Sequence, residues 1–120
     1  MKTGIVVFGH GSSVASANDA VRVVAADAAR HGGWEIYETA FLEASPLLKD
    51  AVASLASQGV GSIVVLPYFL TLGIHLKRDL PNLVEGLEKE YGVSIRVAPP
   101  LDGHEALSRI LVERAAEQAQ

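Results

Sequence analysis

The sequence of 120 residues contains no cysteine, which excludes disulfide bonds, cysteine-held iron–sulfur clusters and thiol catalysis. It also lacks any apolar run near the roughly 20 residues that a membrane-spanning helix requires. Lysine and arginine form no block and the formal net charge is −4, so no general nucleic-acid surface is expected. The amino terminus leads into a strand pattern and not into a secretory signal. These absences favour a cytoplasmic protein that binds neither membranes nor nucleic acids.

The composition that is present is typical of a folded domain, with 49% hydrophobic and 20% charged residues. We expect residues 1–120 to form one domain with one hydrophobic core. Four apolar segments rich in β-branched and aromatic residues predict strands, at 4–8, 34–41, 62–66 and 93–97. Since helical spacing follows each segment, the sequence predicts an α/β fold. This fold is a four-stranded, mainly parallel sheet with helices on both faces.

The helix boundaries are predicted from capping residues and breakers. The first helix is expected over 14–31, and the second begins with Ser45 as N-cap and Pro46 in the first helical position. A long connection, 67–78, precedes the third helix, and Asp102 is expected to cap the fourth. The predicted apolar faces of helices one, three and four consist of Val14, Ala17, Val21, Val24, Ala25, Ala28, Leu80, Leu83, Val84, Leu87, Leu107, Ile110 and Leu111.

Three polar side chains follow three of the predicted strands. His10 comes after the first strand, Glu43 after the second, and His75 lies in the connection after the third. Ligands of parallel sheets bind beyond the carboxyl ends of the strands, so these side chains are expected at one crevice. Two imidazoles and a carboxylate suit divalent iron, cobalt, nickel or zinc, without choosing among them.

His10 lies between two glycines, in the stretch Gly9-His10-Gly11-Ser12-Ser13. Glycine permits unusual backbone angles and lets a ligand come close, which favours a functional over a structural histidine. Gly11, Ser12 and Ser13 precede the first helix, where free backbone amides and hydroxyls bind carboxylate or phosphate. A phosphate-binding domain is therefore an alternative, although the sequence has neither a third glycine at dinucleotide spacing nor a P-loop lysine.

The connection after the third strand is apolar and aromatic, and it also carries positive charge. Tyr68, Phe69 and Leu72, together with Lys77 and Arg78, predict a pocket for a flat, partly apolar anion. Each apolar residue alone is better explained as a cover for the core. Asp79 is expected as an N-cap of the third helix or as a carboxylate that orients His75. His104 is also expected at the carboxyl edge, after the fourth strand, where contact with a ligand is the alternative to the favoured interpretation, a solvated residue of the last helix's first turn.

The same segments resemble a known family. Gly9-His10-Gly11-Ser12, Phe41 to Pro46, and Pro67 to Pro81 resemble the class II tetrapyrrole chelatases. In particular they are similar to the small sirohydrochlorin chelatases, which insert cobalt, iron or nickel into sirohydrochlorin. The resemblance covers nearly the whole chain, and the pattern Gly73-x-His75-x-x-x-Asp79-x-Pro81 is its most specific part.

The resemblance implies roles for residues and for a partner. It implies that His10 and His75 contact the metal and that Glu43 assists as ligand or proton relay. The fold would be half of a flavodoxin-like two-lobed enzyme, so a homodimer with the active site between lobes is expected. The metal ion is then a substrate, and no organic cofactor is expected. His104 receives no role, because family members often have His-Pro there and this chain has His104-Glu105.

The substrate carboxylates would meet Ser12, Ser13, the adjacent backbone amides, Lys77 and Arg78. A metal or tetrapyrrole carrier without turnover is the main alternative to an enzyme. Neither the physiological metal nor the tetrapyrrole pathway follows from these residues.

Overall fold

The computed structural model describes residues 2–119, in which four parallel strands alternate with four helices. The elements are β1 (Thr3–Gly9), α1 (Ala15–Gly32), β2 (Tyr37–Phe41), α2 (Leu48–Ser57), β3 (Ser62–Pro67), α3 (Ile74–Tyr91), β4 (Ser94–Val97) and α4 (Ala106–Gln118). The strand order is β2-β1-β3-β4, and all three neighbouring pairs are parallel. This confirms the predicted α/β fold.

β1 is the centre of the sheet, and its register aligns the loops that follow the strands. Val6 and Phe8 are fully buried and Val7 is nearly so, which means that both faces of β1 are covered. Phe8 lies opposite Ala40 of β2 and also opposite Pro67 of β3. The loops after β1, β2 and β3 therefore lie together at the carboxyl ends of the strands. The order of the strands along the chain changes direction here, between β1 and β3.

The main core lies between the sheet and the helices α2 and α3. Val6, Phe8 and Val65, which alternate along their strands, point to this face. Leu55 of α2 and Leu80 of α3 pack against them. These apolar side chains account for why the two helices lie on the same side of the sheet.

The opposite face is covered less completely. Val7 and Leu66 point to it and line a cavity of about 210 Å³ with Val24 and Ala25 of α1. Ala25 is buried, but Val14 and Val24 of the predicted α1 stripe are 57% and 42% exposed. This face therefore keeps apolar side chains at the surface.

The prediction that Leu107, Ile110 and Leu111 form a buried side of the last helix is wrong for this single chain. No described residue of α4 is buried, and Leu111 is 71% exposed. The apolar spacing exists, but no other element of residues 2–119 packs closely enough against α4 to cover it. The molecule is accordingly elongated, with extents of 55 × 32 × 28 Å.

Two predicted boundaries near β2 are wrong, each because of a backbone hydrogen bond that the sequence does not show. The second helix begins at Leu48, since the Phe41 amide donates to the Pro46 carbonyl at 2.8 Å and holds that segment extended. The amide of Leu47 is capped by the carboxylate of Asp50 at 2.9 Å, not by Ser45. The second strand starts later than predicted, because Trp34 donates its amide to Ala29 and continues the end of α1.

The third and fourth helices also begin away from the predicted residues. α3 starts at Ile74 with Gly73 as N-cap, so His75, Lys77 and Arg78 are helical and Asp79 is not an N-cap. α4 starts after Glu105, and Asp102 does not cap it. Among the described residues, no helix is long and apolar enough to cross a membrane.

Candidate functional site

The candidate site lies where the loops after β1, β2 and β3 leave the sheet. Hydrogen bonds continue the sheet into these loops, because Leu42 donates its amide to Gly9 at 3.0 Å and Glu43 donates to His10 at 2.8 Å. On the other side of β1, Tyr68 donates its amide to Phe8 at 2.7 Å. The backbone of β2 therefore places Glu43 beside His10 without a contribution from either side chain.

His10 and Glu43 form the central pair of the site. Nε2 of His10 lies 2.9 Å from Oε2 of Glu43, and both side chains are exposed, by 60% and 63%. Nδ1 of His10 lies 3.1 Å from the carbonyl oxygen of Gly11, which can only accept, so Nδ1 carries a proton. A carboxylate also only accepts, so a proton bound between Nε2 and Oε2 would join the two side chains as an ion pair. The pair can therefore hold a proton and give it up when a metal binds Nε2.

Gly11 explains how the histidine is presented at the sheet edge. Its φ of +88° lies in the left-handed region, and a Cβ there would come within 2.9 Å of the Phe41 Cβ and 3.0 Å of the Ala44 Cβ. Gly9 differs, since a Cβ at that position would meet the Phe41 ring at an ordinary 3.6 Å. The aromatic ring of Phe69 contacts His10 edge-on, with centroids 6.2 Å apart.

The predicted anion-binding turn is largely used within the protein. The amide of Ser12 donates to Oδ1 of Asn18 at 2.9 Å, and Nδ2 of Asn18 returns a hydrogen bond to the Ser12 carbonyl. Oγ of Ser12 accepts the Val14 amide at 3.0 Å. Ser13 is exposed. This turn therefore supports the start of α1, and the Ser12 amide is not free for a ligand.

His75 lies in the first turn of α3, beside an arginine that is paired with a carboxylate. Arg78 donates from Nε to Oδ1 of Asp79 at 2.9 Å, and its Nη2 lies 3.4 Å from Nδ1 of His75. The hydrogen bond with Arg78 lowers the pKa of Asp79, and the same bond raises the pKa of Arg78. Asp79 therefore does not orient His75 directly, as predicted. It pairs with Arg78, and Arg78 contacts His75.

The predicted substrate-binding side chains do not all line one space. Tyr68 and Phe69 line an apolar groove of about 650 Å³ between the carboxyl edge of the sheet and the start of α4. Leu72 and Lys77 line a separate cavity of about 270 Å³ against Leu80. Within residues 2–119, no three histidine, aspartate or glutamate side chains are grouped closely enough to hold a metal ion. His10 and Glu43 therefore make a pair that His75 does not join in this structure.

Sequence reasoning missed two features of the site. His104 lines the apolar groove, and its Nδ1 accepts the amide of Ala106, the first residue of α4, at 3.0 Å, while Glu105 holds the N-cap position. The position of His104 three residues before an apolar periodic segment could have indicated a cap. The second feature is the hydrogen-bonding role of Asn18, for which the sequence carries no local signal because Asn18 lies six residues from Ser12.

Comparison with known sequences identifies a family model described as CbiX, which matches residues 4–118. A sirohydrochlorin cobaltochelatase of Sulfurisphaera tokodaii is 34% identical over 115 residues, which are 95% of this chain and 92% of that protein. A second sirohydrochlorin cobaltochelatase, from Methanopyrus kandleri, is 39% identical over 88 residues. That match covers 72% of this chain and 61% of the relative.

Solved structures share the fold over nearly the whole chain. A CbiX protein of cobalamin biosynthesis from Marinobacter aquaeolei VT8 has a TM-score of 0.85 and 33% identity, covering 98% of this chain and 100% of that one. The sirohydrochlorin chelatase SirB of Bacillus subtilis subspecies spizizenii, in complex with cobalt, has a TM-score of 0.88 and 26% identity. This match covers 99% of this chain but only 52% of SirB.

Proposed function

Because the chain belongs to the CbiX family, we propose that it inserts a divalent metal ion into sirohydrochlorin. In this proposal the metal, which is cobalt(II), iron(II) or nickel(II), is a substrate, and the expectation that no organic cofactor takes part stays a prediction. The observation that carries the proposal is the 2.9 Å contact between Nε2 of His10 and the carboxylate of Glu43 at the sheet edge. A cytoplasmic location and a single domain over residues 1–120 stay predictions.

The chemistry requires exchange of protons for a metal. The ion must lose water, two pyrrole N–H groups of the macrocycle must lose their protons, and the ion then binds the ring nitrogens. The Gly11 carbonyl fixes Nδ1 of His10 as a donor, which leaves Nε2 as the nitrogen that binds metal or proton. When a metal takes Nε2, Glu43 passes the displaced proton to water. As the metal leaves Nε2 and enters the ring, Nε2 of His10 and the carboxylate of Glu43 each accept one of the two pyrrole protons.

His75 enters this proposal as the second metal ligand, on the strength of the family resemblance. Its Nδ1 faces Arg78 at 3.4 Å, a long and therefore weak contact that a metal can replace. The Arg78 charge is already paired with Asp79, which reduces its repulsion of a divalent ion near His75. Two protein nitrogens leave coordination positions open for water and for the macrocycle, as an insertion reaction requires.

The macrocycle is proposed to lie over His10 with its apolar surface against Phe69 and Tyr68. Both residues line the apolar groove, and the Phe69 ring already contacts His10. Arg78 and Lys77 are exposed cations of α3 that can meet carboxylates of the substrate. Among the residues before α1, Ser13 and the hydroxyl proton of Ser12 are better candidates than the Ser12 amide.

A homodimer with the active site between its lobes completes the proposal. This chain matches about half of SirB, so a second copy would take the place of the other half. The unburied apolar residues of α4, including Ile110, Leu111 and Val112, offer a surface for that copy. These apolar side chains lose contact with water when a second copy packs on them, and this burial favours the dimer.

The testing experiment is anaerobic insertion of cobalt(II), iron(II) and nickel(II) into sirohydrochlorin, followed by absorbance. We expect multiple turnovers for the wild type and a loss of at least about 100-fold in rate for H10A and H75A. H31A is the matched control, because His31 lies at the far end of α1 and should leave the rate unchanged. Equal rates with and without protein would contradict the enzyme and leave a carrier. Loss in H10A alone would remove His75 from the reaction.

A further inference from the structure

His104 occupies a place in the apolar groove that the proposed chemistry does not use. The groove has a volume of about 650 Å³ and is lined by residues of α1, the loop after β3 and the start of α4. Among the described residues that line it, Tyr68 and His104 are the two with polar side chains. A ligand that enters this groove with a polar group would therefore meet His104 or Tyr68.

The cap of α4 fixes the proton of His104. Nδ1 accepts the backbone amide of Ala106 at 3.0 Å, so this nitrogen carries no proton. In the neutral ring the proton must then lie on Nε2, which becomes a hydrogen-bond donor. Within residues 2–119, no side chain or carbonyl is hydrogen-bonded to this Nε2. The cap thus holds the ring as an available donor at the groove.

Phe69 connects the groove with the His10–Glu43 pair. Phe69 is one of the residues that line the groove, and its ring lies edge-on to the His10 ring, with centroids 6.2 Å apart. The turn that carries His104 is tied to this loop, since Leu101 donates its amide to the Phe69 carbonyl at 2.9 Å. Asp102 donates its amide to Leu70 at 2.8 Å. The backbone of the turn before His104 is therefore bonded to the loop whose Phe69 contacts His10.

The start of α4 favours an anion at His104, against the opposing charge of the exposed Asp102 two residues away. The positive end of the α4 dipole lies there, and it attracts negative groups. The neighbouring carboxylate of Glu105 is paired with Arg109 at 3.4 Å, which offsets its repulsion. His104 is not suited to bind the metal, because one ring nitrogen is used in the cap and the other carries the proton.

We infer that His104 binds a peripheral carboxylate of the tetrapyrrole through its Nε2 proton and so positions the macrocycle over His10. The inference rests on the proposed function for the identity of the ligand. His104 is a substrate-binding residue in this account and takes no part in the transfer of metal or protons. It holds one edge of the ring, while Phe69 supports its apolar face.

Two conservative substitutions separate the donor from the cap. In H104N, the side-chain oxygen takes the place of Nδ1 and keeps the cap, while the Nε2 donor is lost. In H104Q, the side-chain amide reaches the place of Nε2 and keeps a donor, while the cap is lost. We expect H104N to raise the KM for sirohydrochlorin about tenfold with kcat and Tm unchanged, as loss of one charge-assisted hydrogen bond predicts. H104Q should keep KM within about threefold and lower Tm instead.

H31N serves as the control variant and should match the wild type in KM. A wild-type KM in H104N would overturn the inference, as would an equal KM increase in both His104 variants that follows their loss of Tm. Equilibrium titration of sirohydrochlorin without metal gives a readout that does not need turnover. If the wild type binds but does not insert metal, and H104N binds about tenfold more weakly, then the proposed function fails while the His104 inference holds. With the methyl ester of sirohydrochlorin, the difference between H104N and the wild type should shrink.

Discussion

The two glycines that flank His10 have different physical roles, although they look alike in the sequence. Only Gly11 has a positive φ, and only Gly11 leaves no room for a Cβ beside Phe41 and Ala44. We expect G11A to lower the free energy of unfolding by about 1–3 kcal/mol, since it adds both strain and a clash. G9A should change it by less than about 1 kcal/mol. Urea unfolding of the two variants tests this difference, and equal effects would contradict it.

The carboxylate of Glu43 is expected to matter for proton transfer and not for the fold. E43Q keeps the size of the side chain and its hydrogen-bonding reach but cannot take up a proton at neutral pH. We expect kcat for metal insertion to fall about 100-fold, while Tm stays within a few degrees because the side chain is exposed. E35Q is the matched control, because Glu35 is exposed before β2 at the opposite edge of the sheet. An unchanged kcat in E43Q would remove the proton relay from the proposal.

The pair of Arg78 and Asp79 gives a prediction about pH. Its hydrogen bond lowers the pKa of Asp79, so the ionised pair is formed above the ordinary aspartate pKa and is lost only as pH falls through the lowered value. Any change in insertion rate between about pH 5 and pH 8 must then come from other groups. An NMR titration of the Asp79 carboxyl carbon should show a midpoint below the ordinary range. The midpoint should return toward that range in R78Q, and identical midpoints would contradict the pairing.

At the scale of the elements, the sequence predicts strands better than helix starts. In the run from Ser62 to Leu66, alternate residues are buried and the others are half-buried, and the β-branched residues identify the strand without further information. The start of α2 depends instead on a contact between Phe41 and Pro46, which only the folded sheet brings together. At the start of α4 the Ala106 amide donates to His104 and not to the N-cap residue Glu105, a contact that capping preferences do not predict. Local rules therefore fail where the loops pair with the strand ends, and these are the loops that build the site.

The same limit applies to the candidate residues. The parallel sheet predicts that His10 and Glu43 meet at one edge, and they do so at 2.9 Å. Their contact follows from strand order and register, which apolar patterns encode. The contact of His75 with Arg78 follows from an earlier helix start, and the use of the Ser12 amide by Asn18 requires the folded turn. The sequence therefore predicts which side chains lie at the carboxyl ends of the strands, but not which atom each of them contacts.

At the scale of the whole molecule, α4 shows that apolar spacing identifies what must be covered but not what covers it. Leu111 is 71% exposed and Val112 is 68% exposed, in a chain that matches half of SirB. In the proposed homodimer these side chains pack against the second copy. A charged residue in place of Leu111 should therefore prevent the interface from forming, because an unpaired charge would be buried.

We expect L111E to be monomeric, with a mass near 12.7 kDa, while the wild type has twice that mass by light scattering. L83E is the matched control, because Leu83 is 41% exposed on α3, on the other side of the sheet, and should stay dimeric. Because the proposed active site lies between lobes, L111E should also lose insertion activity in proportion to its loss of dimer. A dimeric L111E would place the interface on another face. A monomeric wild type that inserts metal would show that one lobe with His10 and Glu43 is sufficient for the reaction.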